Sequence, residues 1–365
     1  MKVAIIHYWL VNMRGGEKVV EALCELFPQA DIFTHVYDPE VVTPTIRRHN
    51  VSTTFIHKLP KAKIKYQNYL PLMPLALEQL DLREYDLVIS SESGPAKGVI
   101  TRPDAVHICY CHTPMRYVWD MYHDYRETAG TFTKLLMPPL IHYLKLWDYV
   151  SSARVDHFIA NSSFVASRIA KHYRRNATVI HPPVASTDFV VSTERADFYL
   201  MVGQLVRYKQ AGIAVEACNT SSRKLVVIGD GEQLEELKDM AGPTVTVMGK
   251  QPFHVIREHY SRCKALLFPG VEDFGIVPLE AMASGRPVIA YRKGGALETV
   301  VDGVTGLFFD QQTSAALNDA MTHFESAGES FDPVAIRNHA LTFDKESFKE
   351  KIAEYVDSVL KGNCL

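Results

Sequence analysis

Two glutamates eight residues apart, Glu272 and Glu280, stand in the segment FPGVEDFGIVPLEAMASGRPVIAYRKGG, which runs from Phe268 to Gly295. A strand ends at Phe268-Pro269, and a helical pattern starts near Ile276 and Val277. Gly275, between them, lets backbone approach a ligand closely. A helix start presents free N–H groups and a positive dipole end, an arrangement suited to an anion such as a diphosphate. Glu280, about one turn into that helix, can accept from two vicinal hydroxyls, as on a ribose. Glutamates on a helix are ordinarily solvated. These two, however, come with Phe274-Gly275, a Gly-x-Pro-Val turn and Gly294-Gly295-x-x-Glu298, a combination that a solvated face does not require.

Three further groups follow strand-like runs. Gly203-Gln204-Leu-Val-Arg207-Tyr-Lys209 comes directly after Tyr199–Val202. A lysine there is either a solvated charge or a cation that neutralises a developing negative charge. Gly15-Gly16-Glu17 follows the first apolar run, and glycines at such a turn let amides approach a phosphate or a sugar. The turn lacks Gly-x-Gly-x-x-Gly, and no Walker A sequence occurs anywhere, which sets aside a nicotinamide dehydrogenase and a P-loop enzyme. Cys111-His112-Thr113-Pro114 follows His107–Cys111 and places an imidazole at a strand's carboxyl end. A lone histidine in an apolar segment is as readily a core residue.

These groups need a scaffold that collects strand ends. Apolar runs recur at Val3–Trp9, Asp31–Thr34, Leu87–Ser90, His107–Cys111 and His157–Ala160, then at Phe198–Val202, Lys224–Ile228, Thr244–Met248, Ala265–Phe268 and Pro287–Ala290. Helical patterns lie between several of them; Val19, Val20, Leu23, Leu26 and Phe27 repeat at helical spacing within Glu17–Phe27. The alternation predicts an α/β fold of two doubly wound, Rossmann-like domains, with ligands at the carboxyl ends of the strands. Paired prolines in IHPPVASTD separate the two series. The expected division is 1–188 and 189–344, with a final helix over about 345–365 packing back on the first domain. A length of 365 residues, 47% hydrophobic and 22% charged, fits two cores. A formal charge of −3 argues against a general nucleic-acid binder. The N-terminal apolar run is broken by His7 and Asn12 and reads as a buried strand, not a signal peptide. The six scattered cysteines read as reduced thiols of a cytoplasmic protein.

The Glu272–Glu280 segment resembles the Glu-x7-Glu motif of family 4 glycosyltransferases, which have the retaining GT-B fold with two domains facing a central cleft. The resemblance covers the whole chain and is strongest over 198–310. It implies that Glu272 contacts the donor sugar and Glu280 the ribose. Phe274, Gly275, Ile276 and Val277 then lie against the donor. It also implies that Lys209 neutralises the diphosphate. Relatives carry arginine where this chain has Gln204, and Arg207 is a candidate replacement. Gly15 and Gly16 would sit under the diphosphate and His112 beside the sugar. Gly229, Gly249 and Lys250 fall where the family contacts nucleotide, though ordinary strand-ending turns explain them as well. Cys-His-Thr-Pro-Met-Arg-Tyr and Glu-Asp-Phe-Gly-Ile-Val-Pro look most like bacterial enzymes that build polysaccharide from GDP-mannose.

The reading is therefore a retaining hexosyltransferase that moves mannose from GDP-mannose to a saccharide acceptor, with the nucleotide sugar as co-substrate and no metal or other cofactor. A polyprenyl-diphosphate-linked acceptor is the kind expected. The alternatives are a UDP-sugar donor on the same fold and a non-catalytic nucleotide-sugar-binding protein. The stretch HKLPKAKIKYQNYLPLMPL interleaves Lys58, Lys61, Lys63 and Lys65 with Tyr66 and Tyr69, a pattern suited to an acceptor or an anionic bilayer on the inner face of the cytoplasmic membrane, or equally to a solvated loop. Lys134–Trp147 is a second such stretch.

Overall fold

The structure is a computed structural model that describes residues 1–128, 130–326 and 331–362. The chain forms two compact units. One comprises Met1–Pro183 with Phe348–Leu365, and the other Val184–Ser347.

The first unit is built on a seven-stranded sheet. Its strands are β1 (Val3–His7), β2 (Asp31–Thr34), β3 (Val51–Thr53), β4 (Leu87–Glu92), β5 (Val106–Cys111), β6 (His157–Ala160) and β7 (Ala177–Val179), in the order β3-β2-β1-β4-β5-β6-β7. Every pairing is parallel. β1, β4 and β5 are buried throughout, as expected of apolar strands covered on both faces. The Gly15–Leu26 helix covers one face through Val19, Val20, Leu23 and Cys24. The Lys345–Gly362 helix leaves the second unit's sequence and joins this same core. Its Phe348, Ile352, Val356 and Val359 form a stripe against β1, β4 and β5.

The second unit has a six-stranded sheet of β8 (Tyr199–Val202), β9 (Leu225–Ile228), β10 (Val245–Gly249), β11 (Leu266–Phe268), β12 (Val288–Tyr291) and β13 (Gly306–Phe309), ordered β10-β9-β8-β11-β12-β13 and again parallel. Each order reverses direction once, between β1 and β4 and between β8 and β11. Open α/β sheets bind ligands at such a reversal, beyond the carboxyl ends of the strands. Five cysteines are buried and free; Cys364 lies outside the described residues.

Candidate active site

In the second unit, the loops after β8 and β11 flank the sheet's reversal. Lys209 ends a short 3-10 turn, Arg207–Lys209, and its ammonium folds back over Gly203. Nζ lies 2.8 Å from Glu272 Oε1, outside hydrogen-bond alignment. The sequence assigned these two residues to different parts of a ligand, and the fold sets them against each other. Such a pair exchanges easily. A diphosphate can take the ammonium while sugar hydroxyls take the carboxylate.

The Glu272 loop leads into the Ile276–Ala283 helix through Gly275, whose φ of +90° suits glycine and strains other residues. The helix opens with no side-chain cap, so the amides of its first turn have no intrahelical acceptor. The Phe274 ring, expected against the donor, is 3% exposed and packs in the core beside Phe343, so it anchors the loop.

Glu280 Oε2 accepts a hydrogen bond from Tyr260 at 2.9 Å. Burial pushes the carboxyl up to about 7; the Tyr260 hydroxyl and the Lys209 ammonium oppose the rise, and the Glu272 charge adds to it. Below about 7 the group is protonated and loses acceptor capacity. A ligand that donates hydroxyls to the ionised carboxylate releases a proton on binding there. The affinity for a nucleotide sugar, whose bridging diphosphate stays ionised, should therefore weaken as pH falls below about 7 and level off above it. Calorimetry between pH 5.5 and 8 measures this, and Glu280→Gln should flatten the profile. A profile that is flat in the wild type would show that Glu280 accepts from no hydroxyl of the ligand.

Gln204 and Arg207 are exposed on the loop after β8. Gly229 has a packing role: a Cβ there would lie 1.8 Å from the Gly203 carbonyl oxygen, so the glycine lets the loops after β8 and β9 touch. Gly249 ends β10, and Lys250 beside it is exposed.

In the first unit, β1, β4 and β5 deliver His7, Ser91 and His112 to neighbouring strand ends. His7 and Ser91 pair in register, and Ser91 Oγ lies 2.9 Å from His112 Nε2. Burial, with the nearby His7 second, lowers the His112 pKa to about 3, which keeps the ring neutral. Gly15 and Gly16 open the first helix beside it. A Cβ at Gly16 would lie 2.6 Å from Tyr8 Oη and 3.6 Å from His112 Nε2. Of the basic stretch, Lys58, Lys61 and Lys65 are exposed, while Lys63 pairs with Asp38 at 3.1 Å. Tyr66 packs 4.6 Å from Trp9, and the Tyr69 hydroxyl donates to the Pro60 carbonyl.

Residues 13–187 match the family described as Glycosyltransferase Family 4, and residues 187–338 match the family described as Glycosyl transferases group 1. The chain belongs to the family 4 glycosyltransferases. This glycosyltransferase is 23% identical over 336 residues to the alpha-1,3/1,6-mannosyltransferase ALG2 of Dictyostelium discoideum, with 76% of each chain covered. It is 29% identical over 192 residues to the GDP-mannose-dependent alpha-(1-6)-phosphatidylinositol monomannoside mannosyltransferase of Mycolicibacterium smegmatis, covering 44% of this chain and 50% of that one. An uncharacterized glycosyltransferase of Methanocaldococcus jannaschii is 27% identical over 169 residues, 45% of this chain and 48% of its own length, so this chain spans about half of that relative. Among solved structures, Anabaena HepE in complex with UDP superposes with a TM-score of 0.70 at 16% identity, over 98% of this chain and 100% of that one. That likeness is one of fold, the GT-B architecture of two Rossmann-like domains.

Sequence reasoning missed two features of this glycosyltransferase. Gly294 and Gly295 were motif companions with no assigned task. A Cβ on Gly295 would lie 2.3 Å from the Phe274 backbone, and the Gly295 N–H donates to the Glu272 carbonyl at 2.9 Å. The glycine pair is the floor on which the Glu272 loop rests. The second feature is the buried pair His7 and Glu17, 3.9 Å apart. The Gly-Gly-Glu string held part of that signal, but the register that brings His7 beside Ser91 belongs to the sheet.

Proposed function

We propose that this glycosyltransferase is a retaining hexosyltransferase that moves mannose from GDP-mannose to a saccharide acceptor, without a metal. The observation that carries the proposal is the meeting of Lys209, Glu272 and the free amides of the Ile276–Ala283 helix at the second sheet's reversal. Lys209 and those amides stabilise the leaving diphosphate. Glu272 holds the sugar hydroxyls and Glu280 the ribose; in the first unit, His112 is the group suited to a sugar hydroxyl. The acceptor oxygen bonds to the anomeric carbon on the face from which the diphosphate departs. The departing phosphate oxygen takes the acceptor's proton. The protein's contribution is positioning and charge. Mannose and its GDP carrier are favoured because relatives along both halves of the chain are named mannosyltransferases, one of them GDP-mannose-dependent. A UDP-sugar is the rival donor, since HepE is solved with UDP.

The acceptor is proposed to be lipid-linked, met at an anionic membrane surface on the cytoplasmic side. Among the described residues no helix is long and apolar enough to cross a membrane. The Thr131–Ser152 helix nevertheless exposes Leu135, Tyr143, Leu146 and Val150 along one stripe, with Lys134 and Lys145 on the same helix. An amphipathic helix of that kind lies along a bilayer without crossing it. Exposed Lys58, Lys61 and Lys65 add attraction to anionic lipid.

Thermal unfolding with GDP, UDP, ADP and their sugars tests the donor. At 100 times its dissociation constant a ligand of the native state adds about 2.7 kcal/mol. Stabilisation by GDP and GDP-mannose alone is expected. Stabilisation by UDP compounds instead would replace the donor, and no response to any of them would favour a non-catalytic role.

A further inference from the structure

Tyr260 lies on the Phe253–Arg262 helix, which begins shortly after Lys250, and it is fully buried. Its ring packs edge-on against Phe189, with centroids 5.7 Å apart, in the core of the second unit. Its hydroxyl donates to Glu280 Oε2 at 2.9 Å. A phenylalanine would fill nearly the same volume. A tyrosine suits a core only where its O–H finds a partner. Here that partner is itself costly to bury: desolvation disfavours the ionised Glu280 carboxyl and pushes it up to about 7. Perturbed carboxyls of this kind cluster at functional sites.

Among the described residues, Tyr260 is the one hydrogen-bond donor to the Glu280 side chain. Lys209, from the turn after β8, and Glu272, from the loop after β11, act on the carboxylate through their charge. The terminal torsion of a glutamate is broad, so an unheld carboxylate samples many orientations. A hydrogen bond to one oxygen narrows that range. A carboxylate offers about four acceptor positions on its two oxygens. With one taken by Tyr260, Oε1 and the second lone pair of Oε2 stay open in a defined plane. Two vicinal hydroxyls present two donors side by side, and a fixed pair of acceptors matches them.

We propose that Tyr260 is a positioning residue for a ribonucleotide: its hydroxyl holds the Glu280 carboxylate in the plane that accepts both ribose hydroxyls, without itself touching the ligand. The proposal rests on the reading of Glu280 as the ribose acceptor. It adds the group that orders this acceptor before the ligand arrives.

Calorimetric titration of the intact chain with GDP and with dideoxy-GDP, which lacks both ribose hydroxyls, tests this. The wild type should bind GDP about tenfold or more tightly than dideoxy-GDP. Tyr260→Phe keeps the ring and removes only the hydroxyl. It should weaken GDP about tenfold, the order of one hydrogen bond to a charged group, and leave dideoxy-GDP within about twofold. In transfer assays the donor KM should rise by a similar factor while kcat changes less than about threefold. In a Glu280→Gln background the same substitution should change GDP affinity less than about twofold, because no carboxylate is left to orient. Equal weakening of GDP and dideoxy-GDP would mean that the hydroxyl supports the core and not the carboxylate, and it overturns the proposal; no change in either does so as well. Failure of the ribose reading shows in the wild type instead. A wild type that binds GDP and dideoxy-GDP equally, or binds no nucleotide, removes Glu280 from the ribose and Tyr260 with it. If UDP and not GDP stabilises the wild type, UDP and dideoxy-UDP take their places with the same expectations.

Discussion

Lys209→Met lowers kcat by about 10²–10³, the range seen when one preorganised donor to a developing oxyanion is removed. The size follows from what the ammonium does at each stage. In the free chain it pairs with Glu272, and both side chains are largely shielded, at 14% and 18% exposed. On the reading above, the donor's diphosphate displaces Glu272, and the charge is worth most when the bond to the sugar has broken and negative charge collects on the leaving phosphate. A thousandfold loss corresponds to about 4 kcal/mol of transition-state stabilisation. Loss of the ammonium also leaves the largely shielded Glu272 without its counter-charge, which costs about 1–3 kcal/mol of folding stability. Activity therefore falls well beyond what the shift in the thermal midpoint explains. Initial rates and a melting curve on the same preparation measure both. A loss of less than tenfold, with Gln204 and Arg207 intact, would mean that Arg207 or the helix amides carry the diphosphate instead.

Gly295→Ala destabilises the second unit by about 3 kcal/mol, the upper part of the overpacking range. The new methyl group would meet backbone atoms of Phe274 at 2.3 Å, and backbone cannot swing aside as a side-chain tip can. At about 2–4 °C per kcal/mol for a domain of this size, the midpoint should fall by about 6–12 °C. Activity should fall with it even well below the midpoint. Relief of the clash lifts the Glu272 loop off its floor and breaks the Gly295 N–H to Glu272 carbonyl bond. Calorimetric unfolding, with rates at low temperature, checks both parts. A change under 1 kcal/mol would show that the loop can shift without cost.

Much of the molecule was legible in one dimension. The central strands of both sheets were visible because a strand covered on both faces must be an apolar run. Val3–His7, Leu87–Glu92 and Val106–Cys111 are buried at every residue. The Gly15–Leu26 and Lys345–Gly362 helices showed their apolar stripes. The short outer strands Val51–Thr53, Ala177–Val179 and Gly306–Phe309 were not recognised. Val51–Thr53 and Ala177–Val179 are half-exposed and carry little apolar content to mark them, while Gly306–Phe309, though apolar, is only four residues long.

The candidate site divides in the same way. Lys209, Glu272, Gly275 and Glu280 could be picked out because their residue types and spacing already imply strand ends and a helix start. The sequence by itself thus determined the succession of the central strands, the strand-end positions of these groups and the family. Tertiary structure alone decided that Lys209 meets Glu272, that Gly295 underlies Phe274, that the Phe274 ring turns inward, and that His7 lies unpartnered beside Glu17. It also decided that Glu280 titrates near 7. Periodicity and turn chemistry act over a few neighbouring residues and can be read along the chain. Sheet order, close approach of backbones and the desolvation of a carboxyl each sum over segments far apart in sequence, and they acquire a value only once the chain has folded.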